Sequence, residues 1–400
     1  MNSYPFFIKE TMQKDIIGIK AFASISAAGI DHSSINNAYF NNNDTFIQKA
    51  KHESKDWRAP LSIKSEKSLN NFIKNNAKYK RFDRSTLLAL LAADGLPKKL
   101  IREQTGVNLG SSRGATTTLE DAYHEFLEYG KVPFLCSPLT TMGNVATNVA
   151  RHLQTKGPSF SHSITCSTAM QSLINAIQWI KAGSSEQFIV GGTEAPLTKF
   201  TIEQMKRLGI YSNSISTHYP CTPLEINKTE NNMVLGEGAA CFLIEKTIDT
   251  LPLAFIDGIG YAMEHAPSIT GITQNGLAMQ KAMQKAINNA HTSEPIDLII
   301  MHAPGTLNGE QAELQAIQKV FESHIPALYS NKWLIGHTLG ASGALSMDLA
   351  IRCVQSEKQP KLPYGNISKK QDGPIQKVMI NTIGFGGNAS SAIISSNKLL

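Results

Sequence analysis

The hydrophobic positions along this chain alternate between the short period of strands and the longer period of helices. Residues 15–29 alternate well enough to predict an opening strand, and a helix follows over 83–95 with Asp83 as its N-cap and Gly95 as its stop. The other elements of the first part are a strand over 105–114 that enters a Gly/Ser loop, a capped helix over 137–153, a strand over 188–196 before a long polar loop, and a strand ending at 246. This alternation indicates an α/β fold.

The second part of the chain repeats the alternation. The pattern predicts a strand over 253–263, a helix over 275–288, a strand over 296–302, helices over 309–321 and 342–355, and two strands around a glycine-rich turn over 377–396. Both parts end in a glycine-rich turn that leads into a strand of small residues, GEGAACFLIE and GFGGNASSAIIS. We therefore expect a duplication, with one half over 1–250 and the other over 251–400.

Cys166 lies where a predicted strand ends and a predicted helix begins. Apolar residues at 169, 170, 173, 174, 176, 177 and 180 cover nearly the whole surface of that helix, which is typical of a buried helix. A helix N-terminus favours the thiolate form of a neighbouring cysteine. An inert structural cysteine would fit the same position, so the pattern alone leaves both interpretations open.

The segment between the first strand and the helix at 83 is polar and rich in Asn and Lys. It includes basic residues at 64, 67, 74, 78, 80 and 81, and predicts either a solvated excursion or a docking face. The whole chain has 38 basic and 32 acidic residues, a net charge of +6. That excess fits an acidic partner and is too weak to indicate nucleic acid.

The five cysteines, at 136, 166, 221, 241 and 353, include no CxxC pair. Neither a disulfide framework nor a metal site is therefore indicated, and a reducing compartment is favoured. No stretch approaches the ~18 apolar residues of a membrane span, and residues 1–15 contain no apolar run of signal-peptide length. We expect a cytoplasmic protein.

Two of the eleven histidines stand at the ends of predicted elements. His302 ends a strand and begins the loop HAPGTLNG, and His337 lies in the turn IGHTLGASG. Either histidine alone is more often a structural residue. The glycines around both, however, let a backbone approach a ligand closely, which favours a site.

Six segments, in order, resemble those of the elongating, carrier-protein-dependent β-ketoacyl synthases of the thiolase superfamily. They are ITCSTAMQSL around Cys166, VGGTEAP at 190, CTPLEINKTENNMVLGEGAA at 221, HAPGTLNGEQAE at 302, NKWLIGHTLGASG at 331 and IGFGGNA at 383. The resemblance implies a duplicated, thiolase-like α/β fold with five αβαβα layers. It also implies a dimer, formed with a second copy or with a chain-length-factor homologue.

The activity that the resemblance implies is β-ketoacyl synthesis. A Cys-bound acyl chain would undergo decarboxylative Claisen condensation with malonyl-acyl carrier protein, in fatty acid, polyene or polyketide elongation. Both substrates would be carried on the phosphopantetheine of the carrier protein, and no separate cofactor is expected.

The same resemblance assigns the catalytic roles. Cys166 would accept the acyl chain, while His302 and His337 would promote decarboxylation and stabilise the enolate oxygen. Lys332 and Glu313 match the family's active-site lysine and its acidic partner. We expect an ion pair between these two, because a buried lysine without a partner is costly.

Further matches concern the oxyanion hole and the carrier protein. The backbone N–H groups of Cys166 and Phe385 would form the oxyanion hole, and Phe385 also matches the gate residue. Thr306 keeps one pantetheine contact of the family. Lys206 and Arg207 align with the docking region for the acidic carrier protein.

Some positions depart from the family. Pro304 replaces a threonine that contacts pantetheine, Asn388-Ala389 replace the usual Thr-Asn, and Ile383 replaces an aromatic residue. These changes affect the expected pantetheine contacts and gate and leave the Cys-His-His set complete.

Other members of the superfamily are matched less well. A thiolase would use a second cysteine near the C-terminus, whereas Cys353 lies within a predicted helix. A synthase that starts from a three-carbon unit would have Asn in place of one histidine. A non-catalytic chain-length-factor subunit would lack the cysteine.

Overall fold

A computed structural model of the protein describes residues 16–50, 56–215, 218–246, 251–266 and 268–400. The described residues form twelve strands, namely β1 (Ile17–Ser26), β2 (Gln48–Lys49), β3 (Trp57–Arg58), β4 (Gly106–Gly110), β5 (Ser159–Phe160), β6 (Gln187–Glu194), β7 (Gly238–Lys246), β8 (Ala254–Met263), β9 (Leu298–Ile300), β10 (Ala327–Tyr329), β11 (Lys377–Gly384) and β12 (Asn388–Ser395). They also form twelve α-helices, namely α1 (His32–Phe40), α2 (Ile63–Asn75), α3 (Arg84–Asp94), α4 (Thr116–Tyr129), α5 (Cys136–Thr140), α6 (Asn144–Leu153), α7 (Thr168–Lys181), α8 (Lys199–Arg207), α9 (Leu277–Asn288), α10 (Leu307–Phe321), α11 (Lys332–Ile335) and α12 (Ser342–Ser356).

Ten of the strands form one sheet, in the order β10-β9-β11-β12-β8-β1-β7-β6-β4-β5. The order and directions on the two sides of the β8–β1 junction mirror each other. In each half, the first strand pairs antiparallel with the last, the last pairs antiparallel with the strand before it, and the remaining pairs are parallel. The junction itself is a short antiparallel pairing of β1 with β8. The same five-strand topology is therefore used twice.

Helices cover the sheet in layers. Helices α7 and α12 contact each other and pack on strands of both halves, so they form the central layer. Helices α3 and α6 cover the outer face of the first half, and α9, with α10 beside it, covers the outer face of the second. A large apolar core surrounds the central helices, and a smaller core lies under each outer layer. The predicted α/β fold with five layers is confirmed.

Local sequence signals set many of the helix ends. Asp83 caps α3 by accepting a hydrogen bond from the backbone N–H of Ser85 at 2.8 Å, and Gly95 follows the last helical residue. Both assignments agree with the sequence prediction. Helix α7 buries most of its surface, as its apolar pattern predicts.

Two predictions of local structure are wrong. The segment 137–153 is not one helix, because α5 and α6 are separated by residues 141–143. The hydroxyls of Thr140 and Thr141 donate to the carbonyls of Cys136 and Ser137, and such contacts compete with helical hydrogen bonds. The polar loop predicted after the strand at 188–196 contains α8. The polar segment before 83, whose secondary structure was not predicted, contains α1 and α2.

Three sequence predictions reach beyond the described residues. Residue 15 at the start of the first strand, the N-terminal segment 1–15 and the half boundary at 250 lie outside them, and the boundary stays a prediction. No helix within the described ranges is long and apolar enough to cross a membrane.

Candidate active site

Cys166 is held in a tight bend immediately before helix α7. Thr165 has a φ of 46°, the left-handed region that residues with a side chain adopt rarely. The backbone N–H of Ser167 donates to the carbonyl of Ile164 at 3.0 Å, and the Ser167 hydroxyl donates to the carbonyl of Asn388 at 2.8 Å. The bend is therefore fixed both by its own backbone and by the turn between β11 and β12.

The absence of a side chain at Gly384 lets the end of β11 approach Cys166. A Cβ at this position would lie 1.8 Å from Oγ1 of Thr165 and 3.1 Å from the backbone nitrogen of Cys166. The first glycine of the motif GFGG thus brings the Phe385 backbone beside the Cys166 amide. The carbonyl of Phe385 is a long acceptor for the Thr165 hydroxyl, at 3.4 Å.

His337 is positioned by the glycine-rich strand that leads into β7. Its backbone N–H donates to the carbonyl of Val234, and its carbonyl accepts from Gly236 at 3.0 Å. A Cβ at Gly236 would lie 2.0 Å from the carbonyl oxygen of Ile335. The segment VLGEG and the turn IGHTLG are therefore two sides of one close contact.

His302 is positioned by Glu313 from helix α10. The two carboxylate oxygens of Glu313 accept hydrogen bonds from the backbone N–H groups of His302 and Ala303, both at 2.9 Å. Glu313 is completely buried. A carboxylate on the helix thus fixes the start of the histidine loop.

The three predicted catalytic side chains converge in the fold. Nε2 of His337 lies 3.2 Å from Sγ of Cys166, and the rings of His302 and His337 are 5.1 Å apart and nearly perpendicular. All three line one cavity of about 440 Å³. His302 and His337 follow Cys166 by 136 and 171 residues in the sequence. The ends of β9 and α11 bring them beside it.

By residue type, these three side chains could also ligate a metal ion, since one ligand atom from each lies within 4.8 Å of the others. Burial, however, is the main cause that lowers the pKa of both histidines, and the charge of Lys332 lowers it further. A positive charge that opposes protonation of the imidazoles also opposes a cation between them.

The surroundings of Cys166 oppose the thiolate form that a helix N-terminus favours. Burial raises the pKa of the Cys166 thiol to about 12; the nearby Glu194 adds to this effect, and Lys332 opposes it. The N–H groups of Ser167 and Thr168 already donate hydrogen bonds to carbonyls of the preceding bend, so fewer N–H groups at the start of the helix can stabilise a thiolate. Cys166 is therefore a neutral thiol beside the imidazole of His337.

Both imidazoles are neutral in the resting site. Burial, followed by the charge of Lys332, lowers the pKa of His337 to about 3, and burial lowers the pKa of His302 well below its usual value. A neutral imidazole can accept a proton at one ring nitrogen and donate from the other. The pair can therefore receive the thiol proton and donate to a developing oxyanion.

The predicted ion pair between Lys332 and Glu313 is wrong as a direct contact. In the part of the chain that the structure describes, the two interact electrostatically without a salt bridge. Burial lowers the pKa of Lys332 to about 8 and raises the pKa of Glu313 to about 7. Glu313 orders the histidine loop by accepting backbone hydrogen bonds, and Lys332 supplies charge beside the thiol.

The other predicted site residues border the same cavity. Phe385 and Thr306 line it, as do the departures Pro304 and Ile383. Among the hydrogen bonds of the described residues, the amides of Cys166 and Phe385 donate to no backbone carbonyl. That leaves both amides available to an incoming oxygen, as an oxyanion hole requires.

The two predicted docking residues differ in their surroundings. Lys206 forms ion pairs with Asp56 at 2.6 Å and Glu203 at 3.5 Å, and these carboxylates neutralise it. Arg207 is exposed in the last turn of α8. Of the two, Arg207 is the better placed to meet an acidic partner.

Glu194, in the motif VGGTEAP, has a role that the sequence patterns did not single out. This buried carboxylate accepts five hydrogen bonds, from Ser111 Oγ, Ser112 N and Oγ, Arg113 N and Gly340 N. It thereby joins the loop after β4 to the turn that follows His337. A glutamate at the end of a mostly apolar strand was the available signal, because a charged residue there needs several partners.

Alkylation by iodoacetamide should test the state of the thiol. Because burial raises the pKa of Cys166, we expect its alkylation rate to keep increasing with pH beyond about pH 9. Cys166 opens into the cavity and should react ahead of Cys221, Cys241 and Cys353, which are buried. Peptide mass spectrometry in a Cys136→Ser background, which removes the partly exposed thiol, measures each rate. A rate that levels off near neutral pH would contradict the neutral resting pair.

Sequence comparison identifies two matching domain families in this chain. The β-ketoacyl synthase N-terminal domain matches residues 40–249, and the β-ketoacyl synthase C-terminal domain matches residues 253–364. The chain is also 28% identical to 3-oxoacyl-[acyl-carrier-protein] synthase 2 of Staphylococcus aureus over 361 residues, covering 82% of this chain and 89% of that protein. A chloroplastic 3-oxoacyl-[acyl-carrier-protein] synthase I of Arabidopsis thaliana is 26% identical over 323 residues, covering 74% and 67% of the two chains.

Solved structures with the same fold include ketosynthases from several systems. A β-ketoacyl synthase from Burkholderia phymatum superimposes with a TM-score of 0.80 at 23% identity, covering 96% of this chain and 99% of that chain. A ketosynthase in complex with its chain length factor from Xenorhabdus doucetiae gives 0.77 at 21% identity, covering 99% and 100%. These similarities establish the thiolase-like fold.

Proposed function

This chain belongs to the β-ketoacyl synthase family, and we propose that it extends acyl chains by decarboxylative condensation with a malonyl group carried on an acyl carrier protein. The observation that supports this proposal most directly is the placement of the Cys166 thiol 3.2 Å from His337, with His302 beside it in the same cavity. A nucleophile, two neutral imidazoles and two unpaired amides are the groups that this reaction needs.

The first half-reaction transfers the acyl chain to the enzyme. His337 takes the proton as the Cys166 sulfur attacks the thioester carbonyl of the acyl carrier protein. A new thioester forms on Cys166, and the carrier's thiol leaves with one proton. Lys332 stabilises negative charge on the sulfur and, with its pKa near 8, is mostly protonated at neutral pH.

The second half-reaction forms the carbon–carbon bond. The malonyl thioester loses carbon dioxide, and N–H groups of His302 and His337 stabilise its enolate oxygen. The enolate carbon attacks the Cys166 thioester, while the amides of Cys166 and Phe385 bind the resulting oxyanion. Collapse of this intermediate releases the 3-oxoacyl carrier protein and the Cys166 thiolate, which takes up one proton.

Both substrates would arrive on a phosphopantetheine arm, and the reaction requires no further cofactor. The polar part of the cavity wall supports this proposal, since it includes Ser268, Thr270, Thr306 and Asn308. Thr306 keeps a hydroxyl at the position where the family contacts the arm, whereas Pro304 cannot donate a hydrogen bond.

The alternative of an inert partner subunit is not favoured, because the cysteine and both histidines are present and in contact. Incubation with an acyl-carrier protein, followed by intact mass measurement, distinguishes the two. We expect a mass increase of one acyl group in the wild type and none in Cys166→Ala. Subsequent addition of malonyl-carrier protein should remove the acyl group and yield the 3-oxoacyl product. A wild-type protein that stays unmodified with every acyl chain tested would contradict the proposed activity.

We propose that the carrier protein docks on the exposed basic side chains near the cavity. Arg207 is adjacent to Leu208, which lines the cavity, and the exposed lysines of α2 are a second basic surface. Charge reversal in Arg207→Glu should raise the KM for acyl-carrier protein several-fold and weaken its dependence on salt, because surface attraction is screened within about 10 Å at 0.1 M.

Steady-state transfer rates at low and moderate salt measure this effect. The matched control is Lys319→Glu, an equal charge change on the exposed end of α10. Equal salt dependence in the wild type, Arg207→Glu and Lys319→Glu would remove this surface from docking.

We further propose that an apolar face around α4 binds a second subunit of the same fold, either another copy or a chain-length-factor homologue. Eight large apolar side chains between 119 and 142 are exposed, namely Leu119, Tyr123, Phe126, Leu127, Tyr129, Val132, Phe134 and Met142. An exposed patch of this size marks an interaction site. The two-residue edge strand β5 is a further unpaired edge of the sheet.

Sedimentation of the purified chain tests this interface. A dimer that dissociates in Phe126→Glu, but not in the control Ile63→Glu, would indicate a homodimer. A monomer that assembles only with a homologous subunit would indicate a heterodimer. A monomer that binds neither would contradict the proposal.

A cytoplasmic location is the remaining proposal. All five cysteines are free, which is favoured in a reducing compartment. Fractionation of cells expressing the full chain would test it.

A further inference from the structure

One charged side chain in the cavity has no role in the chemistry described above. Arg113 lies in the loop after β4 and lines the same cavity as Cys166 and the two histidines. Its backbone N–H donates to Glu194 at 3.2 Å, and the same carboxylate fixes Ser111 and Ser112. The loop that presents Arg113 is therefore anchored to the core.

The guanidinium of Arg113 is incompletely paired. One terminal nitrogen donates to Oε1 of Gln204 at 2.7 Å. Nε is buried and has no hydrogen-bond partner, and no ion pair to Arg113 is formed by the residues that the structure describes. Buried donors are almost always satisfied in folded proteins. Arg113 also lines the cavity, so an acceptor on a bound ligand can complete the pairing of this permanently charged group.

The surroundings indicate what this acceptor belongs to. Helix α8 carries Gln204, the partner of Arg113, next to Met205, and Met205 packs in the apolar cluster that includes Cys166, Met233 and Leu339. Aliphatic groups of this kind suit the chain attached to Cys166. The polar positions Thr306 and Asn308 belong to the histidine loop and α10 instead. Arg113 is thus a cation on a wall that is mostly apolar, apart from Ser112 and Thr165, and that also contains Cys166.

We infer that Arg113 selects acyl chains that carry an oxygen acceptor away from the thioester, with a carboxylate bound best. This inference rests on the proposed function, because the acyl chain on Cys166 is the proposed ligand. A guanidinium donates two parallel hydrogen bonds to a carboxylate, and a neutral carbonyl or ester oxygen accepts at least one.

The malonyl group is a second source of a carboxylate. Pairing that carboxylate with arginine would stabilise it before decarboxylation, and the interaction would be lost as carbon dioxide forms. An interaction that is stronger in the ground state than in the transition state slows the step. The acyl chain is therefore the favoured source.

Acylation without extender isolates the acyl chain. Carrier protein loaded with adipoyl, methyl adipoyl or hexanoyl groups supplies three matched six-carbon chains, and intact mass measures the rate at which Cys166 is modified. The wild type should prefer adipoyl, then methyl adipoyl, then hexanoyl. Arg113→Met, which keeps the length and removes the charge, should reduce the adipoyl-to-hexanoyl ratio by about 10–100-fold. Arg113→Lys should give an intermediate ratio, because it retains charge without the planar fork.

Several results would overturn the inference. An unchanged order of the three chains in Arg113→Met would make Arg113 a structural residue. A higher KM for malonyl-carrier protein in Arg113→Met, with the acyl order unchanged, would assign the carboxylate to the extender. If circular dichroism shows that Arg113→Met does not fold, Gln204→Leu replaces it in the test, because this substitution removes the hydrogen-bond partner of the guanidinium. Gln204→Leu must then change the adipoyl-to-hexanoyl ratio. Failure of all three chains to modify wild-type Cys166 would instead contradict the proposed function.

Discussion

Replacement of His302 by alanine should nearly abolish condensation while Cys166 still accepts an acyl group. His302 is next to His337, and within the described residues the hydrogen bond to the Cys166 sulfur comes from His337, so we expect the His302 donor to serve the enolate of the second half-reaction. Loss of one donor to such an oxyanion typically costs about 10²–10³ in rate. His337→Ala should slow both half-reactions, since His337 lies 3.2 Å from Sγ.

Pulse acylation followed by malonyl-carrier protein separates the two steps. Intact mass gives the acylation rate, and product formation from the acylated enzyme gives the condensation rate. His324→Ala, which changes an exposed histidine after α10, is the matched control. Near wild-type condensation in both His302→Ala and His337→Ala would remove the histidines from the mechanism and the proposed activity with them.

Gly236→Ala should reduce condensation at least about 100-fold although residue 236 takes no part in the chemistry. An added Cβ would lie 2.0 Å from the carbonyl oxygen of Ile335, which belongs to the backbone and cannot move alone. The turn that carries His337 must then shift. A misplacement of about 1 Å in an active site can cost about 10²-fold in rate.

The same substitution should also lower the free energy of unfolding, by about 1–3 kcal/mol, as overpacking of a buried contact does. Gly365→Ala is the matched control, because a Cβ there meets nothing within 4 Å. Thermal unfolding and turnover, measured together, test the prediction. Full activity in Gly236→Ala would mean that the two segments separate without displacing His337.

The elements that position the site could be predicted because their signals are local. The cap at Asp83, the stop at Gly95 and the apolar surface after Cys166 each depend on a few neighbouring residues. Convergence of Cys166, His302 and His337 could be expected from the order of six motifs, although spacing along the chain does not give it. Distances in the fold then supplied the distinction between the two histidines.

Other features depended on contacts that no local pattern carries. Burial, rather than the helix N-terminus, has the largest effect on the pKa of the Cys166 thiol and raises it. Residues of α8 and of the turn after His337 contribute to this burial. Glu313 could be matched to the family from the sequence. That it accepts hydrogen bonds from two backbone N–H groups, instead of forming an ion pair, is evident only from the fold. Arg113 sits in a Gly/Ser loop of ordinary composition, and its unpaired Nε is visible only in three dimensions.

The mirrored sheet has a consequence for how activity should be interpreted. Cys166 belongs to the first five-strand unit, and His302 and His337 belong to the second. The two units meet at the short pairing of β1 with β8 and through the packing of α7 and α12. Neither unit contains all three of the proposed catalytic residues, so activity depends on how the two units are aligned. A substitution that weakens the contact between the two units can abolish activity while both units stay folded. Loss of turnover with an unchanged circular dichroism spectrum is therefore the first expected effect of such a substitution.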